Sequence, residues 1–316
     1  DDPCGLGGAT DLTKAPCRLR TRKANRPREW AASRPSARAA PPLPKRACGY
    51  KLPAPAMSPV EPLAPVEPRT PLEKSLGIAM WGPGISWLTG MLGTLMLAQR
   101  FVPSDRLEWL SRIYTRGQLL ASGTRVRYVV HPEVDPKGVY MFAQNHVNLL
   151  DHCTLYCATP HFKQGIELAA HFKLPVYGWF MRQRGTIPVH RERPAHEMLA
   201  LLEEGMRLEV ARGHSLLVFP EGTRTQDGRV GPFKHGVLAI GHRLGLPIVP
   251  VAVTGMFEVL RKGEWFIVPG NSVTVHVEAP IPTAGVPPSE FPALVDRVRA
   301  VVKGRVDEYY SRRGVR

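Results

Sequence analysis

Short β-branched runs alternate with amphipathic helical stretches over roughly 200 residues, and this alternation predicts one α/β domain. Its central sheet is expected to be largely parallel or mixed, with helices on its faces. The composition agrees: 316 residues, 43% of them hydrophobic, can bury one large core or at most two modest ones. An apolar segment and a Pro-rich stretch precede the domain.

Residues 1–71 hold 14 of the 32 prolines, and residues 1–60 carry a net charge of +8. Proline at this density removes backbone donors and blocks helices, so 1–71 reads as a disordered tail. It could serve as an arm for anionic lipid or nucleic acid, or simply as a solvated tail. Met57 stands where the sequence becomes protein-like, so residues 1–56 are read as non-native and translation as starting at Met57. From Ser75 to Gln99 there is no charged residue, a length able to cross a bilayer. Gly82-Pro83-Gly84 is expected to interrupt it, leaving Ile85–Ala98 as a shorter apolar helix. A span, an interfacial or re-entrant anchor and a buried core helix all fit; Trp81 and Trp87 favour a membrane interface. Residues 72–118 are therefore taken as a membrane-associating helical segment and 119–316 as the α/β domain.

Within the domain, Thr124–Val130 reads as the first strand, with Val126, Tyr128 and Val130 on one face. Gly138–Ala143, Ile166–Ala170, Thr186–Val189, Ser215–Phe219, Ile248–Val253 and Ser272–Val277 follow, with Trp265–Val268 a weaker candidate. Helices are expected near Leu149–Ala158, Pro194–Arg212, Phe233–Leu244 and Ser289–Arg312. Pro194 suits a first helical turn and Gly213 a C-terminal stop. There is no internal repeat.

Charge and cysteine content narrow the function. Lys plus Arg is 42 against 27 Asp plus Glu, a formal charge of +15, which favours an anionic partner: nucleic acid, an anionic membrane or a phosphorylated substrate. Five cysteines without paired spacing argue against a secreted disulfide scaffold and for a cytosol-facing compartment. His152, Cys153 and Cys157 lack a fourth ligand at finger spacing, so core packing is the default for them. The basic C-terminal helix has no accompanying RNA-binding signature or helix-turn-helix pattern, which argues against nucleic acid.

Two segments leaving predicted strands carry unusual chemistry. In the first, His146 is followed five positions later by Asp151. If His146 lies in the loop and Asp151 in the first helical turn, the carboxylate can fix the imidazole tautomer and leave the other nitrogen as a base. No G-x-S-x-G elbow presents a serine, so a substrate hydroxyl would be the nucleophile and acyl transfer to an alcohol the reaction. Asp151 could also be an ordinary helix-start carboxylate. In the second segment, Glu221-Gly222-Thr223-Arg224 offers turn amides, a hydroxyl and a guanidinium, a set suited to a phosphate monoester. A surface turn with an Arg–Glu pair is the alternative.

Together these segments resemble the glycerolipid acyltransferase family, whose best-known members are the lysophosphatidic acid acyltransferases. The resemblance rests on Asn145-His146-x4-Asp151 and Phe219-Pro220-Glu221-Gly222-Thr223-Arg224, in that order. It is supported by Lys173-Leu174-Pro175 leading to Gly178, by Gly185–Arg191 and by Ile248-Val249-Pro250-Val251. It implies that His146 is the general base, that Asp151 orients it, and that Glu221, Gly222, Thr223 and Arg224 form the acceptor site. Arg191 would be a second phosphate contact and Pro250 part of the apolar wall near the acyl chain. No metal or cofactor is implied, because the acyl-CoA or acyl carrier protein thioester is a substrate. His190, His235, Asn148 and Leu149 depart from the usual pattern and leave the acceptor's identity open.

The resemblance thus implies an O-acyltransferase that forms phosphatidic acid from 1-acylglycerol 3-phosphate. The expected partners are a lysophospholipid acceptor, an acyl thioester donor and a membrane surface, with the site facing the cytoplasm. Glycerol 3-phosphate or another lysolipid is the alternative acceptor. A non-catalytic binder of anionic lipid or nucleic acid is the alternative class, and it would have no need of the His146/Asp151 pair.

Overall fold

A computed structural model of the chain describes residues 68–314. The Met57 start and the tail up to residue 67 lie outside the described residues. The last few positions assigned to the tail are part of the fold. Thr70 caps the first helix in a reciprocal box with Glu73, and Arg69 pairs with Glu264 at 3.2 Å.

Seven strands build one mixed sheet in the order β1-β7-β6-β2-β5-β3-β4. They are β1 (Arg125–Val130), β2 (Met141–Gln144), β3 (Lys163–Leu168), β4 (Ile187–Val189), β5 (Ser215–Val218), β6 (Ile248–Thr254) and β7 (Ser272–Val277). Every neighbouring pair is parallel except β6 with β7. Central strands β2, β5 and β6 are buried along their whole length, as helices covering both faces require. One core packs Ile248 and Ala252 against Val298 and Val302; the opposite face packs Val249, Val251 and Val253 with Val147 and Leu155.

Nine α-helices are described: α1 (Pro71–Ala79), α2 (Trp81–Ala98), α3 (Glu108–Ala121), α4 (Asp151–Ala158), α5 (Tyr177–Arg184), α6 (Ala195–Val210), α7 (His235–Arg243), α8 (Met256–Val259) and α9 (Phe291–Arg312). The sequence missed α5, a short helix with little apolar periodicity. Gly178 in its first turn lies so close to the Phe172 carbonyl that any Cβ would meet that oxygen at 2.2 Å.

Several boundaries differ from expectation for local reasons. Gly138 closes a turn onto the Asp135 carbonyl, and the Tyr140 N–H donates to Ser215 Oγ, so β2 starts only at Met141. β3 begins three residues early because the polar Lys163 and Gln164 are buried in the sheet. Trp265–Val268 forms no strand; it belongs to a loop packed against Gly77 of α1 and Trp81 of α2.

The apolar segment also differs. The break falls at Met80, and Gly82-Pro83-Gly84 sits in the first turn of α2, where a proline's missing N–H interrupts no hydrogen bond. None of the described helices is long and apolar enough to cross a membrane, which overturns the spanning alternative. Leu92 and Leu95 of α2 instead pack with Leu110, Tyr114, Phe180 and Met181 of α3 and α5.

At the start of β3 a fully buried amine, Lys163, donates to the Thr159 and His161 carbonyls at 3.1 and 2.9 Å. Arg184 stacks on Tyr156 and Phe162 beside it and faces Glu108 at 3.7 Å. Burial pulls the Lys163 amine down to about 7, and the Glu108 carboxylate only partly opposes this. Between pH 7 and the ordinary lysine range the unfolded chain therefore binds more protons than the folded one, so folding stability rises with pH there. Denaturant titrations of wild type and Lys163→Met at pH 7 and pH 9 should show wild type gaining stability relative to the variant at the higher pH. A pH-independent difference would contradict the buried-amine account.

Candidate active site

The site grows from the shared edge of three neighbouring strands. β2 pairs in parallel with β5 on one side and with β6 on the other, Ala143 aligning with Val218 and with Pro250. The chain leaving β2 at Asn145, that leaving β5 at Phe219 and that leaving β6 at Gly255 therefore emerge together.

Asn145 fixes the first exit. Its side chain donates to the Val253 carbonyl at 2.9 Å and accepts from the Val253 N–H at 2.8 Å, a two-point clamp on β6. Asn148 makes a second tie, donating to the Met256 carbonyl at 2.8 Å and accepting from the Leu150 N–H at 2.8 Å. Between these clamps His146 is held in the loop and Asp151 opens α4.

Asp151 Oδ2 lies 2.8 Å from His146 Nδ1 and also accepts from the Val147 and Asn148 amides. An oxygen that already receives two N–H donors acts as an acceptor towards the ring, so Nδ1 carries a proton and, in the neutral tautomer this selects, Nε2 keeps its lone pair. The Asp151 side chain is 1% exposed and that of His146 24%, so the carboxylate is sealed while the imidazole meets solvent. The ring stacks on Phe219 of the neighbouring exit, centroids 4.2 Å apart, which limits its rotation.

The two motifs are stitched through Glu221. Its carboxylate accepts from the His146 N–H at 2.8 Å and from the Gly231 N–H at 2.9 Å, and the Thr225 N–H donates to the His146 carbonyl at 2.8 Å. Burial pushes the Glu221 carboxyl up to about 7 despite these donors. Glu221 is thus a brace inside the loop rather than an exposed ligand. Gly222 turns with φ of +68°, a conformation that side chains rarely adopt, and its N–H donates to the Phe219 carbonyl.

Cations ring this turn. Arg191, leaving β4, donates to the Gly222 carbonyl at 2.6 Å. The Lys234 amine packs over Gly222, and Lys262 donates to Thr223 Oγ1 at 3.1 Å and to the Arg224 carbonyl at 3.3 Å. The structure brings together His146, Asp151, Glu221, Gly222, Thr223, Arg224 and Arg191. It places Pro250 elsewhere: buried within β6, on the strand face of Ile248 and Ala252, opposite the one that packs Val147. Lys234 and Lys262 were missed by sequence reasoning. Lys234 could have been found from its place before α7, but nothing local marks Lys262, which is delivered by the third strand exit.

Residues 125–254 match the family model described as Acyltransferase. That segment is similar to the Acyltransferase family. Among curated relatives, the chloroplastic 1-acyl-sn-glycerol-3-phosphate acyltransferase BAT2 of Brassica napus is 36% identical over 150 residues, covering 48% of this chain and 42% of the relative. The human 1-acyl-sn-glycerol-3-phosphate acyltransferase beta is 30% identical over 156 residues, 49% of this chain and 55% of the relative. The chain thus spans about half the length of the curated relatives it matches. The solved 1-acyl-sn-glycerophosphate (LPA) acyltransferase PlsC from Thermotoga maritima superposes with a TM-score of 0.63 at 21% identity, covering 75% of this chain and 97% of that one. It shows that the chain shares the fold of that protein.

Glu221→Gln tests the brace. One side-chain oxygen can still accept an N–H, but the amide nitrogen then opposes the other donor. A buried unpaired amide costs about 1–3 kcal/mol, so the denaturant midpoint should fall and the Gly231 or His146 amide should exchange faster. An unchanged midpoint with unchanged amide protection would refute the bridging role.

Proposed function

We propose that the protein transfers a fatty acyl group from an acyl thioester to the free hydroxyl of 1-acylglycerol 3-phosphate, forming phosphatidic acid. One observation carries the reading: a solvent-accessible imidazole oriented by a buried carboxylate is tied by two backbone-linked hydrogen bonds to a turn ringed by cations. The names of the relatives at 30–36% identity support the same acceptor.

In this reading His146 Nε2 takes the proton of the acceptor hydroxyl as its oxygen attacks the thioester carbonyl. Asp151 stabilises the imidazolium that forms. The tetrahedral adduct collapses to the new ester and expels the thiolate, which recovers the proton from His146. Atoms and charge balance without a bound cofactor; coenzyme A or acyl carrier protein leaves as the free thiol. Arg224, Arg191 and the Thr223 amide bind the acceptor phosphate on the turn that Gly222 makes possible, where charge-assisted hydrogen bonds are about twice as strong as neutral ones.

The acceptor is a lipid, and the helices beside the site suit a lipid surface. Ile78, Ile85, Leu97, Phe101, Trp109 and Ile113 of the α1–α3 region are exposed, Phe101 by 82%. Apolar side chains on that scale fit burial in the interfacial layer of a membrane, with the basic chain drawn to anionic headgroups. We read the docked enzyme as facing the cytoplasm, where soluble acyl thioester is supplied.

Purified protein with labelled acyl-coenzyme A and lysophosphatidic acid in detergent should yield phosphatidic acid. His146→Ala should abolish it, and Asp151→Asn should lower kcat by about 10³–10⁴-fold, as for a mis-set imidazole tautomer. Turnover by His146→Ala at the wild-type rate would refute the mechanism. Product with another lysolipid only would move the acceptor.

A further inference from the structure

Lys262 has no place in the two motifs, yet its amine reaches the middle of the acceptor turn. Its donors to Thr223 Oγ1 and the Arg224 carbonyl use two of the three ammonium N–H bonds. Because the Thr223 hydroxyl accepts from Lys262, its own proton is free to be donated outward. Arg191, Lys234 and Lys262 converge on the turn Gly222–Arg224, which carries the Arg224 guanidinium as well, and among the described residues none of the four has a carboxylate within ion-pair distance. Like charges gathered this closely repel one another, and a dianion between them reverses the sign of that interaction.

The support under Lys262 is rigid. It stands on the strap 260–269, which joins α8 to β7. The Val268 N–H donates to the Val259 carbonyl, closing the strap at its base, and Asn271 donates to the Val268 carbonyl at 2.9 Å. Glu264 pairs with Arg69, and the Trp81 indole donates to the Trp265 carbonyl at 2.8 Å with the two indoles 5.8 Å apart. Phe266 lies over Gly77 so closely that a Cβ there would meet it at 2.8 Å. The strap is thus clamped to α1 on one side while its amine stands on the acceptor turn on the other.

We infer that Lys262 is a specificity-determining residue for the acceptor: it binds the phosphate monoester directly and sets the Thr223 hydroxyl as a second donor to it. The inference rests on the reading of this site as one for a 1-acylglycerol 3-phosphate. Selection against acceptors whose phosphate is esterified to a headgroup follows, since such a diester carries one charge fewer.

The test separates binding from turnover. Binding of a short-chain 1-acylglycerol 3-phosphate, monomeric in solution, is measured calorimetrically to the full chain in detergent for wild type, Lys262→Gln and Lys262→Arg. Loss of a charged hydrogen bond predicts Kd about tenfold higher or more for Lys262→Gln, with recovery to within about threefold in Lys262→Arg. In the acylation assay, Lys262→Gln should raise KM for the same acceptor by a similar factor, leaving kcat and the KM for acyl-coenzyme A within about twofold. Equal binding by wild type and Lys262→Gln overturns the inference, as does absence of binding to wild type. Binding that depends on Lys262 without any acylation by wild type overturns the reaction but leaves Lys262 as the phosphate ligand.

Discussion

The parallel pairing of β2 with β5 is the constraint on which the site depends. Loops leaving two adjacent parallel strands in register must emerge at the same edge, so residues 75 positions apart in sequence become neighbours. Ala143 aligned with Val218 brings Phe219 under the His146 ring and Glu221 under its amide. A slip of one residue in that register would turn one exit to the opposite face of the sheet from the other.

Around this edge the fold satisfies buried polar groups by giving each several partners. Asp151 Oδ2 receives the imidazole and two amides, Asn145 closes both backbone groups of Val253, and Glu221 spans His146 and Gly231. Arg299 of α9 adds support from below by donating to the Gly231 and Val230 carbonyls. An imidazole held between an aromatic plate and a sealed carboxylate needs little reorganisation to act as a base.

Much of this was legible in the sequence, because strand β7, the alternation of β1 and the continuous apolar run of β6 are local signals. Local patterning marked His146, Asp151 and the Glu221–Arg224 turn, and the family resemblance tied them together. What escaped has a physical cause. β3 opens with Lys163 and Gln164, whose polarity reads as loop although tertiary partners bury them. The helix break at Met80 rather than at Gly82-Pro83-Gly84 reflects packing of α1 under the strap 260–269. Lys262 was invisible because it reaches the turn from a third strand exit, a fact of topology rather than of spacing. The polar role given to Glu221 also changed, from acceptor ligand to internal brace.

The base chemistry depends on the tautomer of one ring. Nitrogen-15 NMR of histidine-labelled protein, with the His146 signals assigned by their loss in His146→Gln, reads the tautomer directly. The geometry predicts the Nδ1–H tautomer for the neutral form of the ring, with Nε2 unprotonated and open to a hydroxyl. A proton resident on Nε2 would contradict the role given to Asp151, and with it the general-base chemistry built on this pair.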